Sequence, residues 1–463
     1  MLSADWVIRT VPSDVWRYTF GLVYEDFNRI PYLRAVDVIK LSHVCSSWKG
    51  IVSSAPELWR YVDVSIVVSS QHIRPRTELL SLILRNAREI PLTMVLVAYG
   101  TLGTDSALIV EAGKLFFRAA KHAKHLALDI HKDFPFAEIE PEIQASTVLQ
   151  SLRIRQLPYH DANVMSIVSK VWNPAPSLRS FTWSLNDRMS LRYIKILHLP
   201  LQQLTFLDAT WEVDADTFRY LMSSMPLLDT AKLYGVVDRL DGETIEDIEL
   251  PRLRELTLKI SEIPSSTSKQ LLEFMVLPSL KSLHLIDYDP WFTSIFQTFL
   301  AKSKARIEHL SLDIVGTTDE TKIECLKLLP FLRTLTLRTE SDSNADREIG
   351  WVFCADMQEW DSLTQTFVVC PKLEKLVIGY ELLCDPRTTV FADMVEERWR
   401  RSLAAGKSFE VELRNIDLYD EIHNGEEKMQ LLSEVIRILV LKKSGMKVVV
   451  DPISWLVKLF QVD

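Results

Sequence analysis

Glycine is scarce in this chain, with 13 copies in 463 residues, too few for a protein rich in tight turns or phosphate-gripping loops. Cysteine is scarcer and odd in number. Cys45, Cys325, Cys354, Cys370 and Cys384 include no C-x-x-C pair, which argues against a disulfide framework and a zinc finger alike. None of the eight asparagines stands in an N-x-Ser/Thr acceptor. The start, MLSADWVIRTVPSDVW, carries Asp5 and lacks the apolar stretch of a signal peptide. The most membrane-like run, VIRILVLKK, is interrupted by Arg437 and is too short to span a bilayer. The formal charge of -9 argues against a general nucleic-acid or membrane-surface binder. These absences point to a reducing intracellular compartment, cytoplasmic or nuclear, with no nucleic acid or membrane as partner.

Catalytic signatures are missing too. The sequence contains no G-x-x-x-x-G-K-[ST], G-x-G-x-x-G, H-E-x-x-H or G-x-S-x-G. DRLDGETIEDIEL (238–250) looks like a calcium loop, but an EF-hand needs a ligand at its third position and glycine at its sixth. Counted from Asp238, the third is Leu240 and glycine falls fifth. Cys354, Cys370, Cys384 and His423 have no metal-ligand spacing. The expectation is no catalytic residue, no metal, no cofactor and no enzyme.

What the chain does have is hydrophobic residues, 47% of the total, arranged in a repeat. LPRLRELTLKI (250–260), LPSLKSLHLID (277–287), LPFLRTLTLRT (329–339) and CPKLEKLVIGY (370–380) share one pattern: Pro, then apolar-x-x-apolar-x-apolar. With six weaker copies, the first apolar position falls at 123, 149, 178, 201, 228, 253, 280, 307, 332 and 373. The spacings run from 23 to 29, except a final one of 41, which leaves room for an insertion between Glu340 and Phe367. Leucine-rich repeats have about 20–29 residues per unit, and the pattern resembles theirs.

Within one unit, L-x-L alternation puts Leu256 and Leu258 on one face of a short strand. The segments DADTFRYLMSSM, TSKQLLEFMVL and TDETKIECLKLL are amphipathic at helical spacing, with Asp214 and Thr267 as expected N-caps. The fold expected is α/β: a small N-terminal all-α module, then a leucine-rich-repeat solenoid with a parallel sheet on the concave side and helices on the convex side. Only one copy, LRSFTWSLN, delivers the consensus asparagine, at Asn186, so irregular turns are expected.

Residues 11–59 carry a second resemblance. Val11-Pro12, Asp14, Val15, Trp16 and Phe20 are followed by Asp37, Val38, Ile39 and Leu41, then Val44-Cys45-x-x-Trp48, then Pro56-x-Leu58-Trp59. This resembles the F-box, and with irregular repeats behind it the chain is similar to the large F-box families of mushroom-forming (basidiomycete) fungi. The interval 21–35 is longer than usual between the first two F-box helices and reads as a surface loop. Val38, Leu41, Val44, Cys45 and Trp48 recur at helical spacing, so Cys45 is expected on an apolar face as a small buried hydrophobe. Trp59 is expected in the core, because LWRYVDVSI alternates like a first strand.

The resemblance implies a Skp-family adaptor, and through it a cullin, as partners. It places the adaptor-binding residues at Val11, Pro12, Val15, Trp16, Ile39, Leu41, Val44, Cys45 and Trp48. The repeats would then hold a client protein. Positions two, four and six after each first apolar residue face the concave side. Six of these are basic (Arg153, Arg155, Lys232, Lys259, Arg338 and Lys375) and three acidic (Asp129, Glu255 and Asp313). Client binding is therefore expected at Arg153, Arg155, Lys232, Tyr234, Lys259, His284 and Arg338, with an acidic or phosphorylated client. The expected domains are an F-box-like domain at 1–62, a connecting strand and helix at 63–90, the solenoid at 91–420 and a C-terminal capping helix and strand at 421–463. The function implied is substrate recognition in a cullin-based ubiquitin ligase; the alternative is a leucine-rich-repeat scaffold with no ubiquitin-ligase role.

Overall fold

A computed structural model describes residues 11–24, 31–67, 77–99, 106–131, 134–157, 161–184, 191–210, 215–234, 247–259, 271–286, 293–313, 318–338, 349–379, 390–414 and 425–450. The chain forms two compact units, Met1–Trp211 and Glu212–Asp463. Asp214, Thr267, the 238–246 loop, Cys384 and His423 lie outside the described residues.

The described part of the first unit begins with three helices, α1 (Ser13–Tyr24), α2 (Pro31–Ser42) and α3 (Ser46–Ser54). Asp14 in the first turn of α1 suits the helix dipole. Within the interval 21–35, residues 21–24 continue α1 and 31–35 begin α2, so its described part is helix rather than surface loop, while 25–30 lie outside the described residues. A 3-10 turn, Pro56–Trp59, buries Leu58 and Trp59, and Trp59 donates its indole N–H to the Val52 carbonyl at 2.9 Å. Trp59 is in the core, as expected, but in a 3-10 turn that precedes the strand and not in the strand itself.

Six parallel strands follow in chain order: β1 (Tyr61–Val67), β2 (Leu92–Tyr99), β3 (Ala123–Ile130), β4 (Ser151–Gln156), β5 (Ser180–Trp183) and β6 (Phe206–Ala209). Helices α4 (Thr77–Ala87), α5 (Ser106–Ala119), α6 (Ala162–Ser169) and α7 (Leu191–Ile196) connect them. Alternation decides which face is buried. Leu126, Leu128, Leu152, Ile154, Phe181, Trp183 and Leu207 are at most 2% exposed, so they form the side facing the helices.

One register differs from the sequence reading. Leu201–Gln203 form a 3-10 turn, and the strand starts at Phe206, which pairs with Ser180. The turn consumes three residues, so Leu204 takes the place assigned to Leu201. Phe206 and Asp208 then face outward, and Leu207 points into the core.

The second unit repeats the scheme with eight parallel strands: β7 (Thr230–Tyr234), β8 (Glu255–Lys259), β9 (Ser282–Ile286), β10 (His309–Asp313), β11 (Thr334–Arg338), β12 (Lys375–Gly379), β13 (Glu410–Arg414) and β14 (Lys447–Val450). Their registers run straight: Leu256, Leu283, Leu310, Leu335, Leu376 and Val411 form one buried row. Helices α8 (Ala215–Ser224), α9 (Thr293–Ser303), α10 (Asp319–Lys327), α11 (Trp351–Gln358), α12 (Phe391–Ala404) and α13 (Gly425–Lys443) accompany them. Among the described residues, α13 and β14 are the last helix and strand.

The described part of TSKQLLEFMVL, from Leu271 onward, departs from its helical expectation. It holds a 3-10 turn at Leu272–Phe274, and Met275–Val276 pair in parallel with Ile248–Glu249. That short ladder occupies the place a helix C-terminus would take.

With the asparagine ladder absent from the sequence, a main-chain ladder ties successive repeats before each strand. The Asp229 carbonyl accepts from the amides of Arg254 and Glu255, and the Arg254 carbonyl from Lys281 and Ser282. The Lys281 carbonyl accepts from Glu308 and His309, that of Glu308 from Arg333 and Thr334, and that of Arg333 from Glu374 and Lys375. Each bifurcated pair satisfies two backbone donors where the chain turns into the strand.

The long repeat gap holds α11 and an antiparallel hairpin, Trp360–Asp361 with Thr366–Phe367. Two polar groups anchor this region. Asp319 caps α11 from the neighbouring helix, accepting from Gly350 N at 3.2 Å and Phe353 N at 3.1 Å. Arg398, 1% exposed, donates to the carbonyls of Met357 and Val369, each at 2.6 Å. On α13, Glu434 is 1% exposed and accepts from Ala392 N at 2.7 Å, capping α12. Burial pushes its carboxyl above the usual range, against the opposing pull of that amide and Arg437.

Candidate binding surfaces

In the N-terminal module the aromatic residues decide what is inside. Trp16, Phe20 and Trp48 form a cluster, with Trp48 at 5.0 Å from Trp16 and 4.8 Å from Phe20 between ring centroids. Arg17 reaches from α1 to the end of α3, donating to Ser54 O at 3.0 Å and Ser54 Oγ at 2.9 Å. These contacts clasp α1 on α3 and leave its outer side bare. Val15, Tyr18 and Leu22, spaced three and four apart, are 49%, 69% and 53% exposed. Val44, at the turn before α3, is 56% exposed. A helix presenting three large apolar groups to water is the kind of face a partner covers.

Of the residues the F-box resemblance names, Pro12, Val15 and Val44 are exposed, and Val11, Ile39 and Leu41 are half-buried. The rings of Trp16 and Trp48 pack on each other. Cys45 differs from expectation. It is half-buried and extended, at φ -160 and ψ 170, and caps α3 with its Sγ accepting from Trp48 N at 3.4 Å. Helical spacing cannot distinguish an N-cap from the residue one turn into the helix, which is why the sequence places it on an apolar face. Cys325, Cys354 and Cys370 are buried. Burial raises the thiol pKa of Cys354, and pushes that of Cys370 up to about 12.

The second surface is the open face of the sheet, opposite the helices. In the first unit it carries Arg153 and Arg155, both exposed. Arg155 sits where the register slips, since Leu128 pairs with Ile154 and Asp129 with Gln156. Burial and the nearby Lys124 hold His125 below its usual pKa.

In the second unit the open face carries two aligned rows. One reads Thr230, Glu255, Ser282, His309, Thr334, Lys375, Glu410 and Lys447; the next reads Lys232, Thr257, His284, Ser311, Thr336, Val377 and Glu412. From β7 to β11 these line a shallow depression of about 230 Å³. Half of its lining residues carry hydroxyls, joined by Lys232, Glu255, the imidazoles of His284 and His309, and Leu256 and Leu310. Lys232 and His284 flank Thr257, while Tyr234 pairs with Lys259 one row on. Arg338 occupies the register position beside Asp313.

Beyond β11 the face closes on itself. Lys375 bridges Glu410 at 2.8 Å and Glu412 at 2.6 Å, Arg414 bridges Glu412 at 2.6 Å, and Lys447 pairs with Glu410. Hydrogen bonds to the two glutamates raise the Lys375 pKa. For both glutamates burial opposes ionisation, but the lysine and arginine contacts outweigh it and hold the carboxyls below the usual range.

The basic excess expected on this face largely disappears. Asp208 joins it through the β6 register, Asp63 through β1, and Glu410, Glu412, Arg414 and Lys447 through β13 and β14. The positions then hold eight basic residues, with Arg414 and Lys447 added, against seven acidic ones, with Asp63, Asp208, Glu410 and Glu412 added.

Among the described residues, no group of three or more His, Cys, Asp or Glu is placed to hold a metal ion, and no helix is long and apolar enough to cross a membrane. No protein family matches the sequence, and no curated protein is similar to it. Among solved structures, the leucine-rich repeat-containing protein LegL7 from Legionella pneumophila is 13% identical with a TM-score of 0.28, covering 57% of this chain and 88% of that one.

Proposed function

We propose that this chain is the substrate-recognition subunit of a cullin-based, Skp-cullin-F-box ubiquitin ligase, an adaptor without chemistry of its own. The N-terminal helices dock a Skp-family adaptor, and the repeats hold the client protein. The observation that carries the reading is the bare apolar stripe Val15, Tyr18 and Leu22, with Val44, over a packed tryptophan core. It coincides with the F-box pattern in the sequence, and exposed apolar groups around a rigid aromatic centre suit a helical partner. For the client, the depression between β7 and β11 is favoured, because hydroxyls and imidazoles line a hollow there, while the β12–β14 charges form ion pairs with one another.

The deciding experiment is co-expression with a Skp-family adaptor, alone and with Val15→Asp plus Val44→Asp. A one-to-one complex that the double change abolishes, in protein that still melts cooperatively, sustains the proposal. Absence of any complex with folded chain removes it, and leaves a repeat scaffold that binds partners outside ubiquitin chemistry.

A further inference from the structure

The loops leading into the strands of the second unit carry two parallel rows of side chains with different electrostatic fates. The row just after the first apolar position is self-neutralised: Asp229 pairs with Arg254 at 3.4 Å, Lys281 with Glu308 at 3.3 Å, and Arg333 with Glu374 at 3.3 Å. The row just before it holds Arg252, Ser279, Arg306, Phe331 and Lys372. Arg252, Arg306 and Lys372 are exposed, and none has a carboxylate partner among the described residues. Lys304, also exposed, adds a fourth cation beside Arg306.

Two of these cations are held, not merely present. Arg306 lies over the Phe331 ring at 5.2 Å and Lys372 over the same ring at 4.6 Å, each reaching from the loop on its own side of it. Arg252, Arg306 and Lys372 lead into β8, β10 and β12, every second strand of the sheet. At about 4.8 Å between neighbouring strands, their anchor points lie about 10 Å apart. A polyproline II segment advances about 9 Å per turn of three residues, with every third side chain on one side.

We propose that this rim binds an extended acidic segment of another protein, with a carboxylate at every third residue facing Arg252, Arg306 and Lys372 in turn. A single strand of nucleic acid fits less well. The Phe331 ring a base would stack on is already covered by cations, and four free charges on a chain of net -9 are few for phosphate-driven binding. The rim is separate from both surfaces discussed above, and the inference holds whether or not the adaptor reading does.

The test uses the full chain and a fluorescein-labelled peptide of five Glu-Pro-Pro repeats, read by anisotropy. Saturable binding that weakens with added salt is expected, with none for the Gln-Pro-Pro peptide. Arg252→Glu, Arg306→Glu and Lys372→Glu together should weaken it at least tenfold, and Lys442→Glu with Lys443→Glu, two exposed cations at the end of α13, should leave it unchanged. The milder triple change to glutamine guards against a folding defect, since all three positions are exposed. Equal binding by the glutamate triple variant overturns the proposal. So does a failure to bind the acidic peptide, or tighter binding of a fifteen-nucleotide oligo-dT than of the peptide.

Discussion

The Arg398 guanidinium lies over the ring of Phe367, 4.3 Å from its centroid, at the root of the hairpin that lengthens the last repeat gap. Its donors go to the carbonyls of Met357, Val369 and Cys370. A buried arginine thus ties α11, the hairpin and the next strand-leading loop together without an ion pair. Arg398→Met leaves those carbonyls unsatisfied, at about 1–3 kcal/mol each. A loss of roughly 3 kcal/mol is expected from urea unfolding, and Arg398→Lys should not restore it, because an ammonium cannot span the fork. A loss below about 1 kcal/mol would mean that water replaces the guanidinium.

The N-terminal module separates packing from docking. Trp48→Ala removes the ring that meets Trp16 and Phe20, and should cost about 3 kcal/mol. Val15→Asp with Val44→Asp changes two exposed positions and should leave stability within about 0.5 kcal/mol while abolishing adaptor binding. Thermal melts beside the adaptor pull-down check both. Equal effects of the two variants on melting would refute the division.

The charge ladder at the end of the sheet sets a pH dependence. Glu410 and Glu412 have folded pKa values below their ordinary ones, so the unfolded chain binds more protons as acid is added. Their contribution is present above the ordinary carboxylate range and is lost as pH falls through the lowered values. The Lys375 pKa is raised, so its contribution is present below the usual lysine value and lost only as pH rises through the elevated one. Denaturation midpoints from pH 7 to pH 3 should converge for the native chain and Glu410→Gln plus Glu412→Gln. A constant gap would show that the ladder carries no such linkage.

Arg88 adopts φ 56 directly after α4, its amide bonded to Leu84 O at 3.2 Å. A side chain in the left-handed region costs about 1–2 kcal/mol, and glycine returns part of this as unfolded-state entropy. Arg88→Gly should therefore raise stability by about 0.5–1 kcal/mol. A lowered melting temperature would indicate that the arginine side chain contributes elsewhere.

Asp319 serves α11 from outside that helix, and a Cβ placed on Gly350 would come within 2.3 Å of its Oδ2. Both Asp319→Ala and Gly350→Ala should loosen the cap, by about 1–2 kcal/mol each, and the double variant should cost less than their sum. Strict additivity from a double-mutant cycle would show that the two act separately.

Period-2 alternation and near-constant spacing are enough to place Leu256, Leu283, Leu310 and Leu335 in one buried row, because a pleated strand sends alternate side chains to opposite faces. The same logic puts Leu376 and Val411 in that row too. It fails at Leu201, where a 3-10 turn shifts the strand by three residues, and at Cys45, which caps a helix rather than lining it. Local pattern reports which face a residue belongs to, not how the chain enters an element. What tertiary structure alone decided is electrostatic and long-range. Glu410 and Glu412 neutralise Lys375 from the next strand, Arg398 reaches 41 residues back to Met357, and Phe331 collects two cations from neighbouring repeats. Those partners meet only because parallel repeats stack in register, bringing distant residues within reach of charge and hydrogen bond.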